Sequence, residues 1–221
     1  MNAALLLLAD ARLPSGGHAH SGGLEPAASA GAVADVAALA EFLRGRLATT
    51  GLVTAALAAA ACASGPGGWA RLDLETDART PSPAQRRASR AQGRSLLRAV
   101  RAAWPGPSLD TLAGLNEAGP HHPVVLGAAT AVAGGGPGDA ASVAACGSVT
   151  GPASAAVRLL GLDPLAVHRA LAGLAADIDA VAERAAGHAH GDPADLPAAS
   201  APLLDLYAEL HLGADLRLFE S

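Results

Sequence analysis

The chain has 221 residues, 51% of them hydrophobic but only 2% aromatic, and carries a formal net charge of -5. That length buries a core without help from disulfides or metal, and the acidic balance argues against a general nucleic-acid-binding surface. All fifteen basic residues are arginine, so a Walker A phosphate loop, which needs a lysine, is excluded and the expected partners are proteins.

Alanine and leucine recur at helical spacing and no alternating β-branched run occurs, so the expected class is all-α: one domain, a bundle of about nine or ten helices. A first helix is expected over Asn2 to Ala11. A glycine loop follows, and Ser21 or Gly22 caps a short helix from Leu24 to near Gly31. Asp35 reads as the next N-cap, with Leu39, Phe42, Leu43, Arg46 and Leu47 marking one face. After Gly51 a further helix runs to about Ala63. Ser64 to Gly68 reads as a turn, and Asp73, Glu75 and Asp77 as an acidic linker.

Ser82-Pro83-Ala84-Gln85 carries the signature of a helix start, with Ser82 as N-cap and Gln85 completing a capping box. That helix is expected to reach Trp104 and stop at Pro105-Gly106. A loop with a short helix around Leu109 to Leu115 precedes a helix that begins at His122-Pro123 and fades at Gly134 to Gly136. Asp139 opens the next, in which Pro152 should cause a kink or a break. Asp163-Pro164 starts a long helix to Ala186, with Gly187 as its stop. Pro202 to His211 forms the last helix, and 214–221 a tail.

Cys62 and Cys146, distant in sequence and both in apolar helical surroundings, read as small buried hydrophobes. The leucine run at the N-terminus has no basic region ahead of it. Leu47 to Ala63 is interrupted by Thr49, Thr50, Gly51 and Thr54, so no membrane span is expected and a cytoplasmic location follows.

Chemistry concentrates in three places. Leu5 to Glu25, LLLLADARLPSGGHAHSGGLE, holds four glycines and two histidines in one loop. His18 and His20 stand two apart, and imidazole suits nickel as well as zinc. No cysteine or carboxylate stands beside them, so a structural role is expected for His20 and a partner contact for His18. The pair His188 and His190, with Asp192, reads as a surface loop. Ser21 has no GxSxG elbow around it, so it is not read as a nucleophile.

The third place is the helix from Pro83. Arg87, Arg90, Arg94, Arg98 and Arg101 fall on one stripe, with no acidic residue in the helix to offset them. Such a stripe is a solvated face, a ridge satisfied from within by Asp73 to Asp77 or by Asp177 and Asp179, or a docking surface for an acidic partner; the unmixed sign favours docking.

The first block, LAD-x-x-LP-x-GG-x-x-HSGGLE, resembles the N-terminal signature of the UreF family of urease accessory proteins. Matching positions are Leu8, Ala9, Asp10, Leu13, Pro14, Gly16, Gly17, His20, Ser21, Gly22, Gly23, Leu24 and Glu25; His18 stands where an aromatic is expected. The resemblance continues through Gln92-Gly93-Arg94, His122-Pro123-Val124-Val125 and Ser154 to Leu159. It closes with Pro202 to Asp205, His211 and Arg217-Leu218-Phe219.

Two departures stand out. LGLDPLAV replaces a glutamine-containing stretch after Arg158, and Glu220 replaces a basic residue next to the last serine, in a tail the family is thought to order on a partner. The resemblance implies a non-catalytic adaptor in nickel delivery to urease. It would join a UreD/UreH-type scaffold to the GTPase UreG, regulate GTP hydrolysis and support nickel insertion into apo-urease. No resident cofactor is implied, with nickel only in transit, and a homodimer is expected. The implied contact residues are His20, Gly22, Gly23, Glu25, Arg94, Arg98, Arg158, Arg217 and Phe219. Two readings from other classes remain open: a small helical metal-dependent hydrolase built on the histidine pairs, and a helical interaction module unrelated to metals.

Overall fold

The computed structural model describes residues 2–10, 12–212 and 218–219, and for His18 the backbone only. Among these residues every regular element is helical. They are α1 (Ala3–Leu8), α2 (Leu24–Ser29), α3 (Val36–Arg46), α4 (Leu52–Ser64), α5 (Pro66–Ala78), α6 (Pro83–Ala103), α7 (Pro107–Ala113), α8 (His122–Val132), α9 (Pro137–Leu160), α10 (Pro164–Gly173), α11 (Ala175–Ala186) and α12 (Pro202–Leu212). The all-α class is as expected.

Local chemistry sets most boundaries. The Asp35 carboxylate accepts the amide of Ala38 at 2.8 Å, the Ser82 hydroxyl that of Gln85 at 3.1 Å, and Asp163 the amides of Leu165 and Ala166. Each satisfies an amide that the first helical turn leaves without a partner. Proline occupies the first position of α5, α6, α7, α9 and α10, where its missing N–H costs nothing.

The core is built around α4, whose residues Ala55 to Ala61 are all buried. Helices α8, α9 and α11 pack round it. Alanine lets these axes come close, and Gly127 takes this furthest: a Cβ there would lie 2.2 Å from the Ala58 carbonyl oxygen. Trp69, buried on α5, gives its indole N–H to the Ala61 carbonyl at 2.8 Å, so the one polar atom of a large apolar side chain is satisfied.

Several expectations are corrected. A π turn at Leu47–Gly51 carries α3 directly into α4, so these are one helix, Val36–Ser64, instead of two. Gly51 sits against the Ser148 side chain, and Thr49 and Thr50 turn their hydroxyls back to the Gly45 and Arg46 carbonyls. The acidic stretch Asp73 to Asp77 is no linker but the second half of α5, because Trp69, Leu72, Asp73 and Thr76 form its buried face. Of the kink or break expected at Pro152, the break does not occur: α9 runs through it from Pro137 to Leu160. The long helix expected from Asp163 to Ala186 is two, α10 and α11, meeting at a turn on the buried Leu174 just after Gly173. Cys146 is exposed, not buried, and Cys62 is half-buried with its thiol towards the Gly135 carbonyl.

Among the described residues two helices, Val36–Ser64 and Pro137–Leu160, are long and apolar enough to cross a membrane by length and composition alone. In the first, 67% of the apolar window is buried inside the fold, as in a core helix.

Candidate partner-binding site

The glycine loop before α2 turns on two residues. Gly22 and Gly23 have φ of +61° and +87°, in the left-handed region that side chains avoid. Space closes the same door: a Cβ on Gly22 would meet Pro152 Cγ at 3.0 Å, and one on Gly23 would meet Leu204 Cδ2 at 3.0 Å. The loop therefore lies flat between α9 and α12. Ser21 is fully buried and its Oγ accepts the amide of Glu25 at 3.2 Å, which makes it a cap and not a nucleophile.

Arg46 holds this elbow from below. It donates to the Gly22 carbonyl at 2.7 Å and to the Ser148 carbonyl at 3.0 Å. Burial pushes its pKa down to about 10, which leaves it charged at neutral pH. Around the elbow opens a groove of about 540 Å3, lined among others by His20, Gly22, Gly23, Gln92, His122 and Arg158. Burial, with a smaller push from the nearby His20, lowers the His122 pKa to about 4, so its ring is neutral at physiological pH.

The elbow also receives the C-terminal residues. Glu25, 5% exposed, accepts the amides of Leu218 at 2.8 Å and Phe219 at 2.9 Å with its two carboxylate oxygens. His211 lies 3.4 Å from Glu25 and 3.1 Å from the Phe219 carbonyl, while the Arg158 guanidinium sits 4.5 Å over the Phe219 ring. Glu25 stands in the first turn of α2 and is also a two-oxygen clamp on backbone from the far end of the chain. Sequence spacing carries no sign of this, since the partners are 193 and 194 residues away.

The arginine helix divides its residues between two environments. Arg90, 8% exposed, faces inward and bonds Asp73 at 3.0 Å, Asp77 at 2.6 Å and the Gly119 carbonyl at 2.6 Å. His121, 0% exposed, completes the cluster: its amide donates to Asp73 at 2.8 Å, and its ring bonds Asp77 at 2.8 Å and Ser89 at 3.0 Å. Burial lowers the His121 pKa, against the Asp77 bond, which raises it. Burial alone would raise Asp77, but its bonds to His121 and Arg90 hold it below the ordinary carboxylate value.

Asp73, Asp77 and His121 offer three ligand atoms within 4.8 Å of one another, a spacing a metal ion can bridge. The Arg90 guanidinium already supplies the positive charge at that point, so the arrangement works as a buried ion-pair network. Gly93 explains how it closes: a Cβ there would lie 2.1 Å from the Pro120 carbonyl oxygen, so the segment before α8 crosses α6 at the only side chain small enough.

Arg87, Arg94, Arg98 and Arg101 remain exposed. Arg101 pairs with Asp110, and Arg94 reaches the Ala118 carbonyl. Of the nine expected contact residues, His20, Gly22, Gly23 and Arg158 line one groove, and Glu25 and Phe219 join Arg158 at its edge. Arg94 and Arg98 stand apart on α6. Arg217 and the charge reversal at Glu220 lie outside the described residues.

Three further positions emerge only from the structure. They are Arg46, His121, and Arg79, whose guanidinium gathers the carbonyls of Pro193, Ala194, Leu196 and Pro197.

The described residues form an all-helical fold with a glycine elbow set against α12 and, apart from it, outward arginines along α6. The comparisons with known proteins place it: a family model described as UreF matches residues 33–175, and the chain belongs to the UreF family. It is 48% identical to the urease accessory protein UreF of Mycobacterium sp. (strain JLS), covering 98% of this chain and 97% of that one. It is 46% identical to the protein of the same name from Mycolicibacterium vanbaalenii, covering 99% and 98%, and 45% identical to that of Mycobacterium marinum, covering 99% and 98%.

Proposed function

We propose that the chain is a non-catalytic adaptor of urease maturation. It joins a UreD/UreH-type accessory protein to the GTPase UreG, governs when that GTPase hydrolyses GTP, and supports nickel insertion into apo-urease. Nickel is cargo here, not a resident cofactor. The adaptor works in the cytoplasm as a homodimer. The observation that carries the reading is likeness over nearly the full chain to proteins named urease accessory protein UreF. The polar clusters support the non-catalytic part: Ser21 is a buried cap, and Asp73, Asp77 and His121 are engaged by Arg90 and by one another.

Co-expression of a tagged chain with the urease subunits and the other accessory proteins tests this. The tag should retain the scaffold and the GTPase. A chain that purifies alone from cells holding the full set would contradict the reading.

A further inference from the structure

We infer that the groove between α6 and α12 receives an acidic amphipathic helix of a partner protein. This rests on the adaptor reading above and specifies the chemistry of one of its contacts.

The groove holds about 350 Å3 and is separate from the elbow groove in all but its shared Ala88 and Ala208. Ala84, Ala88, Ala91 and Ala208 form its apolar floor, because alanines on both helices leave a trough where longer side chains would interdigitate. Arg87 and Arg94 stand on its rim, and Leu212 extends the apolar surface at one end. A trough of this size, near the lower end of the roughly 300–1,000 Å3 usual for binding pockets, takes a large apolar side chain rather than a flat surface.

The charges around it are unbalanced from within. Arg90 is spent on Asp73 and Asp77 and Arg101 on Asp110, while Arg86 donates to the neutral Thr80 carbonyl. Arg94 finds only a neutral carbonyl, and Arg98 is exposed one turn further on. Glu209, held by the Ser82 hydroxyl and the Ala84 amide, is one carboxylate facing both Arg86 and Arg87, so it offsets only one of the two charges. Helix α6 itself has no Asp or Glu. Arg94 and Arg98 therefore repel at i, i+4. Carboxylates from outside relieve that repulsion.

Spacing then selects the form of the partner. Arg87 and Arg94 are two helical turns apart and Arg98 one more, so the cations repeat with the helix period, about 10 Å and then about 6 Å along the axis. A segment that matches carboxylates to that repeat while presenting one apolar face to the alanine trough is a helix with acidic flanks.

The test uses the full chain and two labelled helical peptides that share a leucine face: one with glutamate flanks, the other with lysine. In fluorescence anisotropy the glutamate peptide should bind at least tenfold more tightly, and added salt should weaken it. Arg87→Glu with Arg94→Glu should invert the preference, while Arg169→Glu with Arg184→Glu, on a remote exposed face, should leave it unchanged. Circular dichroism shows that each variant is folded. Equal affinity for both peptides, failure of the inversion, or sedimentation showing that the Arg87/Arg94 change dissolves a homodimer would overturn the inference, the last because the occupant would be a second copy. If that variant still co-purifies with the scaffold and the GTPase, this inference falls while the adaptor reading stands.

Discussion

Arg46 and Pro152 meet at a carbonyl that belongs to neither. Pro152 has no N–H to give to Ser148 four residues earlier, so the Ser148 carbonyl loses its helical partner, and the Arg46 Nε takes that place at 3.0 Å. The same guanidinium then reaches the Gly22 carbonyl, so the defect in α9 becomes the post on which the elbow is fixed.

A double-mutant cycle checks this coupling. Arg46→Gln should destabilise the fold by about 1 to 3 kcal/mol, as expected when buried carbonyls lose a charged donor. In a Pro152→Ala background residue 152 supplies its own N–H to Ser148, so the same change should cost about 0.5 to 1.5 kcal/mol less. Urea unfolding of the four proteins gives the coupling; strictly additive losses would contradict it.

Gly93 and Gly45 make a paired test of opposite sign. Glycine to alanine inside a helix ordinarily stabilises by about 0.5 to 1 kcal/mol. Gly45, exposed on α3 with nothing within 4 Å of its would-be Cβ, should follow that rule. Gly93→Ala should instead lose about 1 to 3 kcal/mol, because the methyl meets backbone that cannot turn aside. Thermal melts of the two variants should move in opposite directions.

Stability should fall with acidification from near pH 6.5. The pKa of His122 is lowered from 6.5 to about 4, so between those values the unfolded chain binds a proton that the folded chain refuses. Stability is then fully present above pH 6.5 and lost as pH falls towards 4, by up to about 3 kcal/mol for this one residue. His121, also lowered, adds in the same direction. Urea midpoints measured at pH 7.5 and pH 5 should differ, and His122→Gln should shrink the difference.

Glu25→Gln should loosen the far end of the chain. One carboxylate oxygen becomes an amide N–H₂ facing a backbone N–H, so a charge-assisted bond is replaced by a clash of donors. Hydrogen exchange at the Leu218 and Phe219 amides should speed up at least tenfold while the amides of α4 stay protected. Unchanged exchange at both would show that the clamp holds nothing.

The elements whose start depends on neighbouring residues were legible in the sequence. Asp35, Ser82 and Asp163 cap the helices that their positions predict, because a cap acts within three residues. What escaped depends on distant contacts. Asp73 and Asp77 read as an acidic linker and as one candidate internal counter-charge to the arginine stripe; the second reading holds for Arg90, while their place inside a helix depends on packing that no local pattern announces. The burial of Trp69 and Leu72 was nonetheless written in their three-residue spacing. Pro152 read as a kink or a break, and the arginine that takes up the freed Ser148 carbonyl comes from residue 46, out of reach of any local pattern. The stripe of arginines was found, but its division into inward Arg90 and outward Arg87, Arg94 and Arg98 needed the fold.

The most direct measurement of the central claim is urease activity and nickel content in a urease-positive host from which the gene for this chain has been deleted. The account predicts urease protein that is still made but lacks nickel and activity, with both restored by the wild-type chain. Fully active, nickel-loaded urease in the deleted strain would contradict it.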